Sequence, residues 1–341
     1  VSLRGGISGG GGAGLRAVQK ARLQPHCDLV AAHDPDPAVL LQFTAATGMR
    51  TVVRTFDELL QTGIDFVVLA GPLGPRLDQV RAAAEQGVHC LLHTPMAHDA
   101  ATAAAMLSAC ESSGVKLGVA VPHHEDPLFE QVRRMIADDW LGGLALVAGI
   151  AGDDARLRTP AGTAANAPTT ADLPPLAALA AHHVHLAAWL TGRAAVRVTA
   201  QAARGFLPLP ADAAAATALL RPNVLCTFAA SHLTRADSLS IHGTDGCVQF
   251  TGDAVLLRGR TAYDGEVFRY ERPGDEILLH RTELAGPLAA LAPQYELHGR
   301  FARWIDDCDD FPCPGEQAVL DLQVLDAFAR AAASGRTEEV G

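Results

Sequence analysis

"GISGGGGAG" (residues 6–14) is the stretch on which the fold turns, because it contains Gly9-x-Gly11-x-x-Gly14 and opens a helical segment. In a dinucleotide site the first glycine of this spacing allows a tight turn. The second lets the backbone approach a pyrophosphate, and the third lets helix and strand pack closely. The anion then sits at a helix N-terminus, where unpaired N–H groups and the dipole favour negative charge. The same small residues also suit a plain flexible loop, and the preceding "LRGGIS" is a poor strand former. Asp34 tips the reading toward the nucleotide. It follows Gly14 by 20 residues, at the end of the next apolar run, where a ribose-binding acid belongs. An acid there repels a 2′-phosphate, so NAD is expected ahead of NADP.

Outward from this stretch the chain alternates two periods as far as residue 121. Short apolar runs, "CDLVAA" (27–32), "IDFVVLA" (64–70), "VHCLL" (88–92) and "VKLGVAV" (115–121), read as strands. Between them lie helical patterns. "PRLDQVRAAAEQG" (75–87) puts Leu77, Val80 and Ala84 on one face, and "DAATAAAMLSACESSG" (99–114) runs from a capping Asp99 to Gly114. Strands alternating with helices imply a parallel sheet covered on both sides, hence a Rossmann-type domain over 1–121.

The rhythm then changes. "DPLFEQVRRMIADDWLGG" (126–143) is an amphipathic helix, 152–175 is an Ala/Pro/Thr/Gly-rich loop or lid, and "PPLAALAAHHVHLAAWLTG" (174–192) is a helix with Pro at its start and Gly at its end. Successive strands follow, "AVRVTAQ", "NVLCTFAAS", "SLSIHG", "CVQFTG", "AVLLRG" and "EVFRYE", with a hairpin turn at "GTDGC" (243–247). Helices near 294–308 and 315–334 close the chain. Strands without intervening helices imply a largely antiparallel open sheet, so residues 122–341 form an α+β domain for substrate binding and oligomerisation, its last helices packing back toward the first.

At 341 residues the chain is long enough for two domains. Its formal charge of -11, without any lysine- or arginine-rich run, argues against nucleic-acid binding. No apolar stretch is long enough to span a bilayer, and seven scattered cysteines fit reduced thiols in a cytoplasm.

With these parts in order the chain resembles the Gfo/Idh/MocA family (glucose–fructose oxidoreductase, inositol dehydrogenase and rhizopine catabolism protein). The resemblance runs end to end. It takes in the glycine fingerprint, "AAHDPD" (31–36), "DELL" (57–60), "IDFVVLAGP" (64–72), "EQGVHCLLHTPMA" (85–97) and "SGVKLGVAV" (113–121). It continues through "LGGLALVAG" (141–149), "IHGTDGCVQF" (241–250) and "LDAFARAAASGR" (325–336). It implies an NAD(P)-dependent oxidoreductase acting on a sugar, polyol or related hydroxy or carbonyl compound, pairing into homodimers or homotetramers through the C-terminal sheet. It also implies cofactor contacts from Gly9, Gly11, Gly12, Ala13, Gly14, Asp34, Gly71, Pro72, His93, Thr94 and Pro95.

The site residues carry over unevenly. Where the family has Glu-Lys-Pro, this chain has His93-Thr94-Pro95, and the lysine that donates to the substrate oxygen is absent. A threonine hydroxyl hydrogen-bonds but holds no charge near pH 7. The family Asp-x-x-x-His, aligned by the trailing Trp-Leu, puts the histidine at His182 and Ala178 at the aspartate position, with His185 one turn on. His123 and His124 stand where members carry an Arg or Asn-Arg cluster. The resemblance implies that these histidines, with His93, border the cleft between the domains. His182 is then the expected proton-transfer group, since imidazole titrates near working pH. Thr94 and His185 assist it, and His123, His124 and His182 contact substrate. No metal is expected in this reading. Two alternatives stay open: a nucleotide- or sugar-binding relative without turnover, and a metal-assisted enzyme in which His182 and His185, three apart, share an ion with the other histidines.

Overall fold

The computed structural model describes residues 2–153, 176, 179–206, 211–252, 254–263, 268–280 and 294–341. The proposed lid (152–175) and Ala178 fall almost wholly outside them. The described residues form two compact units. One holds those up to Asp126 with those of 294–320, and the other holds the remainder.

The first unit is built on a parallel sheet in the order β3-β2-β1-β4-β5-β6: Leu3–Ser8 (β1), Cys27–His33 (β2), Thr51–Val53 (β3), Phe66–Leu69 (β4), His89–His93 (β5) and Leu117–Ala120 (β6). This is the doubly wound α/β order, and it places the end of β1 at the point where the strand order reverses. The helices are Gly12–Ala21 (α1), Pro37–Thr47 (α2), Phe56–Leu60 (α3), Arg76–Glu85 (α4) and Ala100–Ser113 (α5). Their ends follow local chemistry. Asp99 accepts from Thr102 N at 2.7 Å to start α5, and Gly114, at φ 69°, stops it.

The poor strand former "LRGGIS" is the central β1. A Cβ on Gly5 would lie 2.5 Å from both Leu29 and Phe66, so only a glycine lets the neighbouring side chains close over this strand. Its core, Ile7, Phe43, Phe66, Val68 and Leu91, is also covered by Leu297 and Phe301 from a later helix, Leu297–Ile305 (α8).

The second unit carries a sheet in the order β14-β13-β12-β11-β7-β10-β9-β8-β15. Its strands are Leu144–Gly152 (β7), Ala195–Ala203 (β8), Ala213–Leu220 (β9), Val224–Ser231 (β10), Ala236–Gly243 (β11), Gly246–Thr251 (β12), Ala254–Tyr263 (β13), Phe268–His280 (β14) and Glu338–Glu339 (β15). β7 and β10 run parallel, and every other described pair is antiparallel, including the β11–β12 hairpin at Thr244-Asp245. Pro127–Ala137 (α6) and Ala181–Thr191 (α7) pack on each other, and α7 also lies on β7 and β10. Gly315–Ser334 (α9) is the last helix. No helix among the described residues is long and apolar enough to cross a membrane.

Candidate active site

The glycine turn has the geometry its spacing implies. Gly9 adopts φ 107°, and a Cβ there would meet Gly71 N at 2.5 Å; a Cβ on Gly14 would meet Gly9 O at 2.0 Å. The turn at Gly9 and the close seat of α1 at Gly14 therefore both exclude a side chain. Gly11 precedes α1 as N-cap without a side-chain hydrogen bond, so the first turn offers backbone N–H groups to an anion. Asp34 is buried, and its Oδ2 accepts from Gly10 N at 2.9 Å while Oδ1 accepts from Asp36 N at 3.0 Å. This draws the carboxylate to the glycine turn, where a ribose would meet it. The cradle fits a dinucleotide.

Beyond the ends of β4 and β5 lie the two loops that carry Gly71-Pro72 and His93-Thr94-Pro95. One side chain that the sequence did not single out ties them together. Arg76, 1% exposed, donates Nη1 to His93 O at 2.7 Å and to Pro95 O, and Nη2 to Gly71 O at 2.8 Å. Burial lowers its pKa to about 10, which leaves it charged. The buried stripe of α4 thus includes Arg76, Val80, Ala83 and Ala84, while Leu77 of the expected stripe is only half-buried.

The two halves of the His93-Thr94 pair face different surroundings. Thr94 is exposed and is joined to Pro95 by a cis peptide bond. The His93 imidazole is turned inward, with its ring centroid 6.2 Å from that of His298, and the Nε2 atoms of both rings are buried without a hydrogen bond. His298 Nδ1 is bonded to Glu296, which also accepts from Gly299 N at 2.7 Å as the cap of α8. Burial alone would raise the Glu296 carboxyl, but the His298 and backbone contacts outweigh it and hold it below the usual carboxylate range. Close by, Lys20 of α1 is paired with Glu125. His123 and His124 share the short helical turn Pro122–Glu125, His124 buried and His123 half-buried.

Burial, then His298, then the charges of Arg76, Arg16 and Lys20, push the His93 pKa down to about 3. The unfolded chain therefore takes up this proton first as the medium is acidified. The contribution of His93 is complete above about pH 6.5 and is lost as pH falls toward 3, at about 1.4 kcal/mol per unit. In urea unfolding between pH 7 and 4.5, His93→Gln is expected to flatten the loss of stability by one proton's slope. An identical slope in the variant would refute this account.

In the second unit, α7 presents three histidines. His182 and His183 both reach Asp237, their Nε2 atoms 3.4 Å and 3.1 Å from its Oδ1. Burial lowers the His183 pKa despite its bond to Asp237, and the two imidazoles hold the Asp237 carboxyl well below the usual carboxylate range. His185 turns elsewhere, with its Nδ1 2.6 Å from Asp321 Oδ2 on α9. The pair expected from its three-residue spacing is thus not the pair that converges. The adjacent His183 is, together with an aspartate 54 residues on that no spacing rule would have found.

Residues 3–121 match the oxidoreductase family with an NAD-binding Rossmann fold, and residues 129–249 match the GFO/IDH/MocA C-terminal domain. The chain is similar to D-xylose 1-dehydrogenase (NADP(+)) 2 of Haloferax volcanii, 31% identical over 143 residues that cover 42% of this chain and 44% of the relative. It is also similar to myo-inositol dehydrogenase Hyg17 of Streptomyces leeuwenhoekii, 28% identical over 197 residues, 55% of this chain and 57% of that one. The matches thus span about half the length of these relatives. In fold it is similar to an oxidoreductase from Agrobacterium radiobacter solved with NAD+, L-tartaric acid and magnesium, with a TM-score of 0.81 at 17% identity, covering 100% of this chain and 99% of the other.

Proposed function

The chain belongs to the GFO/IDH/MocA oxidoreductase family, and on that premise we infer that it is a nicotinamide-dependent dehydrogenase acting on a sugar, polyol or related hydroxy or carbonyl compound. The observation that carries the reading is the glycine cradle with Asp34 drawn to it. Gly9 to Gly14 would hold the pyrophosphate at the start of α1, and Asp34 the ribose hydroxyls. Gly71, Pro72, His93, Thr94 and Pro95 would line the nicotinamide end. A bound nicotinamide supplies the hydride acceptor or donor. The protein's own part is to orient the substrate oxygen and to exchange its proton. By the family positions they occupy, Thr94 would hydrogen-bond the substrate oxygen, His182 would take the hydroxyl proton as the carbonyl forms or return it in reduction, and His123 and His124 would contact substrate. An acid at position 34 disfavours a 2′-phosphate, which favours NAD over NADP.

Calorimetry with NADH and NADPH tests this reading. NADH is expected to bind at least tenfold more tightly, and Asp34→Ala is expected to erase the difference. Absence of NADH binding at millimolar concentration would sink the redox reading. Thr94 in the lysine position favours a second reading, a relative that binds such ligands without turnover, and measurable NAD-coupled turnover of any aldose or cyclitol eliminates it.

The protein would work in the cytoplasm as a homodimer or homotetramer. Supporting the assembly, Leu225 of β10 and Ile150 of β7 are exposed on one face of the sheet, the face opposite the buried Cys226 and Phe228. Light scattering on the purified chain is expected to give an even multiple of 35.6 kDa. A monomer, together with unchanged scattering of Leu225→Asp, rules the assembly out.

A further inference from the structure

Three donor atoms of metal-ligating type meet in the second unit. One ring nitrogen of His182, one of His183 and a carboxylate oxygen of Asp237 all lie within 4.8 Å of one another. Neighbouring residues on a helix point about 100° apart. These two imidazoles nonetheless converge, with ring centroids 4.1 Å apart. Gly149 of β7 makes room for the arrangement, since a Cβ there would press on the His183 ring at 3.1 Å. His183 is buried and so fixed in place, whereas the Asp237 side chain is 63% exposed and His182 31%.

The His183–Asp237 contact of 3.1 Å is an ordinary bond, but the His182–Asp237 contact of 3.4 Å exceeds the usual N–H···O range of about 2.7–3.2 Å. A tetrahedral zinc ion, with bonds of about 2.0–2.1 Å to imidazole nitrogen and carboxylate oxygen, sets its ligand atoms about 3.3 Å apart. Both contacts fall beside that spacing.

We propose that His182, His183 and Asp237 form a binding site for one divalent transition-metal ion of the zinc class. Two histidines and one carboxylate leave a tetrahedral position open, the pattern of a catalytic rather than a structural zinc site. The exposed side of Asp237 gives the ion an entry path, and the open position takes an oxygen ligand such as a hydroxyl or carbonyl. Binding of the ion stands on the second unit alone, and its use on a substrate oxygen rests on the redox reading above.

Chelator-stripped protein titrated with Zn2+ by calorimetry, and with Co2+ by visible absorption, tests the site. The expected result is one ion per chain and a tetrahedral Co2+ spectrum. Asp237→Asn and His183→Asn are expected to weaken binding at least tenfold, and the exposed His26→Asn to leave it unchanged. Absence of saturable binding overturns the proposal, as does affinity that both site variants leave intact. Should His183→Asn fail to fold, Asp237→Asn decides, since its exposed side chain makes no demand on packing. NADH binding is measured on the same samples. Zinc binding lost with NADH binding intact sinks the metal site alone, and the reverse sinks the redox reading alone.

Discussion

Replacing Arg76 with methionine is expected to cost about 3 kcal/mol of stability and to weaken NADH binding at least tenfold, because three interior carbonyls then lose their donor. His93 O, Pro95 O and Gly71 O all accept from this one guanidinium. A buried acceptor left without a partner costs about 1–3 kcal/mol, so the three together cost about 3–9. Removing a desolvated cation offsets part of this. The fall from 12.5 to about 10 corresponds to about 3.5 kcal/mol at about 1.4 per unit. At the middle of the carbonyl range, about 6 kcal/mol, the lost acceptors outweigh this by about 3, and methionine keeps most of the apolar volume, so packing adds little. A drop of about 6–12 °C in Tm follows at about 2–4 °C per kcal/mol. The binding loss has a separate origin: the guanidinium joins the loop after β4 to the loop after β5, and these carry the proposed nicotinamide contacts. Lysine keeps the charge but, as a compact point donor, does not span three carbonyls. Arg76→Lys is therefore expected to fall between wild type and methionine in both measurements. A Tm within about 2 °C of wild type and an unchanged NADH affinity in Arg76→Met would show that the clamp does not hold these loops.

Arg76 also shows where sequence patterning reaches its limit. An arginine at the start of an amphipathic helix reads as a solvated cation, and its capture by three carbonyls depends on loops that approach only in the folded sheet. The same holds for the site on α7. His182 was legible from its distance to Trp189, a local relation along one helix, but Asp237 joins it only because β11 pairs with β7, where Asp237 stands opposite Ala151. The parallel sheet was readable because branched runs and helical spacings alternate cleanly up to residue 121. β9 was missed for the opposite reason. "AAAATALL" carries no β-branched signal beyond one threonine and has helical propensity, yet pairing with β8 and β10 on both sides overrides it.

His182→Ala is expected to lower turnover of an accepted aldose or cyclitol by about 10²–10⁴, the usual worth of a positioned proton-transfer group, with NADH affinity unchanged. No phosphate- or ribose-binding group is touched, so a loss confined to kcat points to proton exchange. The residue has two ways to act, and they respond differently to added reagents. If neutral imidazole itself takes the proton, free imidazole in the assay restores part of the rate of His182→Ala, and chelator leaves wild type untouched. If His182 instead holds a zinc ion that lowers the pKa of the substrate hydroxyl, chelator silences wild type, Zn2+ revives it, and His183→Asn and Asp237→Asn fall with His182→Ala. Turnover in His182→Ala within threefold of wild type, with or without chelator, removes this histidine from the chemistry.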